Sequence, residues 1–440
     1  MGLGVLSLRR AKAEPLELEL HMDQVTKEPG FSELINYRVR NSKSLCLSQF
    51  KTIKELMRTL PNLTQSAPNL RSLTLVGLRG AEWDQSADPF ESSAPGLRCL
   101  KLVNIPLYSS FLRLRALTEL ALDDPRFTLH LDTLLDFLEE NHSLKSATLN
   151  IRFAEGTLRS SRRETAITNQ LQYLSMDVGS AADGKALVSR ISLQRGAHLE
   201  IRSCGNAELK LVMSGVPTAQ FPNLPSPVFM EYQYHGSERS IRLLGPNGGV
   251  SFQKSWRYDI PFSEFALLPV ANVRELHLGY HKSQWSHTEV FNPSFFPALE
   301  VFVITCKTWL SHLLSPLLSN PSFPPSLKTL VFLDCDISAA FMEELTRFAS
   351  SRKNTTTTST WLRYVIIIEP QCSFLTTTSI RPLMRHVLVN IRRGRELPTG
   401  LVQEIDELLI KYASPDTPLR EFFLFYNFSM GGGDRNWNQM

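Results

Sequence analysis

Along this chain, apolar residues recur in one phrase, L-x-x-L-x-L or a close variant. Leu70, Leu73 and Leu75 carry it first, then Leu97, Leu100 and Leu102, then Leu117, Leu120 and Leu122. Leu144, Ala147 and Leu149 follow, and Leu171, Leu174 and Met176. Later copies are Val273, Leu276 and Leu278; Leu299, Phe302 and Ile304; Leu327, Leu330 and Phe332; and Leu362, Val365 and Ile367, with Leu419, Phe422 and Leu424 as a further candidate. Most neighbouring copies begin about 27 residues apart, inside the roughly 20–29-residue range of leucine-rich repeats. The last two apolar positions alternate with polar ones, the period of a strand with one buried face. A single such strand cannot bury that face alone, whereas stacked copies make a continuous core.

Between the phrases the period lengthens to that of a helix. LDTLLDFLEENHS (131–143) puts Leu131, Leu134, Leu135 and Leu138 on one face with acids opposite, and SAAFMEELTRFASS (338–351) does the same with Phe341, Leu345 and Phe348. The pattern predicts an α/β leucine-rich-repeat solenoid: a horseshoe-like parallel sheet on the concave side, helices and loops on the convex side. A leucine-rich doubly wound domain also alternates strands and helices, but nothing in that fold calls for one phrase at near-constant spacing. Residues 201–272 interrupt the repeat with Pro-rich 221–227 and a Gly-Pro-Asn-Gly-Gly turn at 245–249, flanked by strand-like SIRLL and VSFQ; we read this stretch as an irregular insert, a hairpin or degenerate repeats. NTTTTST at 354–360 reads as a loop and SMGGGDRNWNQM at the end as a disordered tail.

Several phrases resemble landmarks of the fungal F-box/leucine-rich-repeat family of mushroom-forming species: RRAKAEPLELEL (9–20), APNLRSLTLVG, LLDFLEENHSLKSATLNI, RLLGPNGGVSF, FALLPVANVRELHLG and RPLMRHVLVNIRRGRELPTG, in that order along nearly the whole chain. The resemblance implies an intracellular receptor, cytoplasmic or nuclear, that selects protein substrates for an SCF-type ubiquitin ligase. It also implies an F-box before RRAKAEPLELEL, where this sequence has only MGLGVLSL. The expected organisation is a capping, post-F-box-like segment at 1–60, a first repeat block at 61–200, the insert at 201–272, a second block with its cap at 273–428 and a tail at 429–440. The expected partner is a protein substrate, with a Skp-type adaptor only where an F-box lies upstream. A leucine-rich-repeat scaffold unconnected to ubiquitination is the alternative.

Composition narrows the classes without changing this picture. Net charge is +4 over 440 residues, which points to neither nucleic acid nor an anionic membrane. No apolar run approaches the ~20 residues of a spanning helix. Cys46, Cys99, Cys204, Cys306, Cys335 and Cys372 include no C-x-x-C pair, so we expect neither a disulfide framework nor a metal. His277, His281 and His287 are close in sequence, but His277 falls on a strand and His281 past its end. Cys306 and Cys335 fall where such repeats carry Cys or Asn to cap a turn. The basic clusters Arg159, Arg162 and Arg163, and Arg392, Arg393 and Arg395, lack interleaved aromatics. Asp136, Glu139 and Glu140 read as a solvated helix face. No nucleotide-binding, zincin or serine-hydrolase motif is present, and we expect no cofactor and no enzymatic activity.

The residues between buried positions face the concave side, because a strand alternates its faces. The candidate partner-binding residues are therefore Thr74, Lys101, Glu119, Asp123, Thr148, Asn150, Tyr173, Asp177, Glu275, His277, Val303, Leu333, Tyr364 and Ile366. The first part of this set is small, polar and slightly acidic. The last part is apolar: either it docks a partner or another part of the chain covers it, the latter being the favoured reading.

Overall fold

The protein is described by a computed structural model covering residues 16–21, 42–50, 69–79, 96–107, 111–153, 166–168, 170–178, 191–193, 196–202, 227–235, 238–246, 248–255, 265, 268–280, 290–306, 310–355, 361–368 and 377–392. It is an α/β structure. The strands are β1 (Leu16–His21), β2 (Ser42–Phe50), β3 (Ser72–Gly77), β4 (Cys99–Val103), β5 (Glu119–Leu129), β6 (Ser146–Phe153), β7 (Ala166–Thr168), β8 (Tyr173–Val178) and β9 (Ile191–Leu193). They continue as β10 (His198–Arg202), β11 (Phe229–His235), β12 (Glu238–Gly245), β13 (Gly248–Ser255), β14 (Glu275–Tyr280), β15 (Val301–Cys306), β16 (Thr329–Leu333), β17 (Tyr364–Ile368) and β18 (Leu388–Arg392). Among the described residues, 16 strands form one open sheet in the order β1-β2-β3-β4-β5-β6-β8-β10-β13-β12-β11-β14-β15-β16-β17-β18, and β7 pairs with β9 separately.

The apolar phrases set the register. Leu75 pairs with Leu102, Leu102 with Leu122, and Leu122 with Leu149, each on the next parallel strand. Every residue of the triplets from Leu70–Leu75 to Leu362–Ile367 is buried in one continuous core. Just before each strand the backbone repeats as well. The carbonyl of Arg71 accepts from the amides of both Arg98 and Cys99, that of Arg98 from Thr118 and Glu119, and that of Thr118 from Lys145 and Ser146. The same two-bond step recurs at Arg274, Glu300 and Lys328.

Among the described residues the helices are α1 (Leu131–Glu140), α2 (Leu310–Leu313), α3 (Ser315–Ser319), α4 (Ala339–Thr355) and α5 (Thr377–Met384). α1 buries Leu134, Leu135 and Leu138 as its period predicts, and Phe137 besides. α4 buries Phe341, Leu345 and Phe348 and starts at a Ser338 cap, whose Oγ accepts the Phe341 amide at 3.1 Å. It runs on to Thr355, into the tract expected to be loop, because its last turn is anchored by a buried arginine, Arg352. Among the described residues, 3₁₀ turns also lie between strands, at Phe111–Arg113, Val270–Asn272 and Pro293–Phe295.

The interruption of the repeat is an antiparallel meander built into the sheet. β13 lies beside β10 and β11 beside β14, both parallel, with β12 antiparallel between them. Three strands joined by tight turns must reverse direction twice, so the outer two match the surrounding parallel strands and the middle one opposes them. The glycine-rich turn joins β12 to β13, with Gly248 at φ 124, a conformation open to glycine. Four parallel strands of the open sheet also arise outside the phrases identified above: β1 and β2 before the first, β10 after Met176, and β18 after Ile367. Leu419, Phe422 and Leu424, the tail, His281, His287 and Arg159–Arg163 lie outside the described residues. Among those described, no helix is long and apolar enough to cross a membrane.

Candidate functional site

The face of the sheet away from the main core carries the expected binding residues, and the pairing places them in rows. The middle row runs Cys46, Thr74, Lys101, Ala121, Thr148, Ser175, Glu200, Ser251, Arg242, Glu231, His277, Val303, Val331, Ile366 and Asn390, one residue per strand. The chemistry along it changes twice, from small and polar to charged to apolar.

On the first part, Lys101, Glu119 and Asp123 are exposed, and Thr74, Thr148, Asn150 and Asp177 are half-buried. Asp123, Asn150 and Asp177 are adjacent in register, and the Asn150 amide donates to Asp123 Oδ1 at 2.7 Å. That bond orients both side chains without removing them from solvent.

The charged part spans β8, β10, β13, β12, β11 and β14. Tyr173 donates its hydroxyl to Glu200 Oε2, Arg202 Nε donates to Glu200 Oε1 at 3.0 Å, and Arg242 Nη1 meets Glu231 Oε2 at 3.1 Å. Gln233 donates to Glu231 Oε1 at 2.6 Å, and His277 Nε2 lies 2.6 Å from Glu275 Oε1. Of the residues singled out from sequence, Tyr173, Glu275 and His277 belong to this band. Glu200, Arg202, Glu231, Arg242 and Ser251 were missed, although alternation in HLEIR, FMEYQYH and SIRLL marks the same face. Burial would raise the Glu200 carboxyl, but bonds from Arg202 and Tyr173 hold it below its ordinary range. The Tyr173 hydroxyl is pushed up to about 12 by burial and the Glu200 charge. Burial opposes protonation of His277, yet the Glu275 bond and charge, with Glu231, keep it above its ordinary 6.5.

His198 is the opposite case. Burial, with the Arg242 charge, lowers it to about 4. Its ring stacks on Tyr173 with centroids 5.9 Å apart, and its Nε2 lies 3.0 Å from Ser251 Oγ. A serine against a histidine is the geometry of an activated nucleophile. Here Nδ1 is buried with no hydrogen-bond partner, so no third group orients the ring, and an imidazole near 4 is a poor base at neutral pH. The pair reads as a packing element. The ring fits because its neighbour on β13 is a glycine: a Cβ at Gly249 would sit 2.9 Å from His198 Nδ1, 2.4 Å from Leu244 Cδ2 and 2.9 Å from the Leu243 carbonyl. Gly249→Ala is therefore expected to destabilise the protein by about 1–3 kcal/mol, seen as a lower midpoint in urea, with loss of amide protection concentrated in β12 and β13.

The two histidines give stability opposite pH dependences. His198, depressed from 6.5 to about 4, contributes stability above pH 6.5 that is lost as pH falls toward 4. His277, raised above 6.5, contributes stability below 6.5 that is lost as pH rises through its folded value. Acidification from pH 6.5 to 4 should cost up to about 3 kcal/mol through His198 alone. Thermal melts of His198→Gln across that window should be flatter than those of the wild type; an equal slope excludes His198 as the cause.

The apolar part is a second hydrophobic cluster. Val303, Val331, Ile366 and Ile368 are buried, with Val301 and Leu333 packed against them and partly buried. Val303 and Ile366, expected among the binding residues, thus offer no free surface, and Leu333 offers little. Burial is the physical outcome for adjacent branched residues on neighbouring strands, which favour association over hydration. Tyr364, one row away, is 43% exposed.

The buried thiol of Cys335 links two repeats: it accepts the Cys306 amide at 3.3 Å and donates to the Ile304 carbonyl at 3.3 Å. Burial raises its pKa, so it is a neutral thiol. Among the described residues, no group of three or more His, Cys, Asp or Glu is arranged to hold a metal ion. Glu140 of α1 is exposed and meets Arg115 at 2.5 Å. No protein-family model matches this chain, and no curated protein matches it.

Proposed function

We propose that the chain is a leucine-rich-repeat solenoid, without catalytic activity, that recognises another protein through the polar part of the face opposite its main core. One observation carries the reading: apolar phrases at near-constant spacing pair in register, leaving Thr74, Lys101, Thr148, Asp123, Asn150 and Asp177 as an ordered polar surface on rigid, adjacent strands. Such a surface binds by shape and contact, and every repeat can vary its side chains without altering the core. The more specific reading is a substrate receptor of an SCF-type ubiquitin ligase, cytoplasmic or nuclear. It rests on the family resemblance alone; a scaffold outside the ubiquitin system is the second reading.

Proximity labelling with the full chain in its own cells tests the recognition surface, comparing wild type with Lys101→Glu/Asp177→Arg. The reading expects at least one protein to lose labelling in the variant while its melting temperature stays unchanged; identical profiles would remove the surface from consideration. Recovery of a Skp-type adaptor with the tagged chain supports the ligase reading, and a partner profile without the adaptor supports the scaffold.

A further inference from the structure

The residues at the start of successive strands, just before the strand or, for Lys43, second within β2, form a row of their own along the rim where the strands begin. Over the first strands of the repeat this row reads Lys43, Arg71, Arg98, Thr118, Lys145 and Gln172, and each amide donates to the carbonyl of the previous member at 2.7–2.8 Å. Neighbouring strands lie about 4.8 Å apart, so four cations occupy about 19 Å with no acid among them. Lys43, Arg71 and Lys145 are exposed and make no ion pair among the described residues, while Arg98 Nη1 donates to the Ala116 carbonyl at 3.0 Å. Like charges on adjacent strands repel. The corresponding row at the other end of the sheet shows how the fold can offset this: Arg274, Glu300, Lys328 and Arg363 follow one another, and Glu300 meets Lys328 at 2.6 Å and Arg274 at 3.9 Å. Among its described members, Lys43, Arg71, Arg98, Thr118, Lys145 and Gln172, the first rim has no such internal acid.

We propose that this rim docks an extended, Asp/Glu-rich segment of a partner protein, whose carboxylates meet Lys43, Arg71, Arg98 and Lys145 in turn. An extended chain advances about 3.3 Å per residue, so about six residues cover the rim, and flexible lysine and arginine side chains take up the mismatch with the strand spacing. A protein segment fits better than a nucleic acid because the row contains no aromatic side chain on which a base could stack. The proposal rests on the recognition reading above and assigns the chemistry of the partner.

The test is fluorescence anisotropy of a labelled peptide of about eight alternating Glu and Asp residues, titrated with the full chain at low and at physiological salt. Binding that weakens with salt, and weakens about fivefold or more in Arg71→Ala/Lys145→Ala, is the expected result, with Lys328→Ala, whose ammonium Glu300 already holds at the other end, unchanged. Equal affinity in the double variant, no binding at low salt, or tighter binding of a single-stranded oligonucleotide of equal charge overturns the proposal. A partner found by proximity labelling whose recovery is unaffected by Arg71→Ala/Lys145→Ala would overturn the rim assignment while leaving protein recognition standing.

Discussion

Replacing Arg352 with alanine is expected to destabilise the protein by about 3–5 kcal/mol. The side chain is fully buried near the end of α4. Its guanidinium donates to the carbonyls of Pro321 at 2.9 Å, Pro324 at 2.6 Å, Pro325 at 3.1 Å and Leu327 at 3.0 Å, and lies over the Phe348 ring at 5.9 Å. Burial lowers its pKa to about 10, so it stays charged at neutral pH. One planar group thus gathers the carbonyls of the turn leading into β16 and ties that turn to the helix that follows the strand. Alanine removes the donors and leaves carbonyls without them in a buried setting, each a substantial cost. Lysine should rescue little, since an ammonium cannot reproduce the fork that reaches four carbonyls. Urea denaturation gives the magnitude, and hydrogen exchange should show the loss first in β16, β17 and α4. A change below about 1 kcal/mol would mean that solvent supplies those carbonyls equally well.

Val331→Asp is expected to cost about 3–5 kcal/mol as well, for a different reason. Val331 is fully buried in the second cluster, between Val303 and Ile366 on the adjacent strands. A carboxylate there loses its hydration and gains no cation from Val303 or Ile366. Leu333→Asp, at a partly buried position against the same cluster, should cost less, and Tyr364→Asp, at an exposed one, should fall within about 0.5 kcal/mol of the wild type. This gradient separates a covered cluster from an open docking patch. In an open patch all three substitutions would leave the melting temperature nearly unchanged and act only on partner capture.

Much of the fold was legible before any coordinates. Leu73, Leu100, Leu120 and Ala147 announce a buried face because their spacing obeys the two-residue period of a strand, and copies at near-constant intervals must stack to bury it. Their parallel pairing followed, as did α1 and α4 from the helical spacing of their leucines and phenylalanines. The outward rows followed too, since alternation assigns a face residue by residue. That is why Thr74, Lys101, Thr148 and Asn150 could be named in advance as members of one face.

Other features depended on which strands became neighbours. His198 and Ser251 are far apart in sequence, and Glu231 joins Arg242 only because a meander turns back between parallel strands; no local period encodes that partner choice. The order β13-β12-β11 placed Gly249 under His198 and assembled the charged band. Exposure was decided in the same way: Val303 and Tyr364 both point away from the main core, yet one is buried and the other is not. The chain by itself determined which side chains share a face, because alternation is a property of the backbone. Tertiary structure alone decided what each face meets, because burial depends on residues remote in sequence.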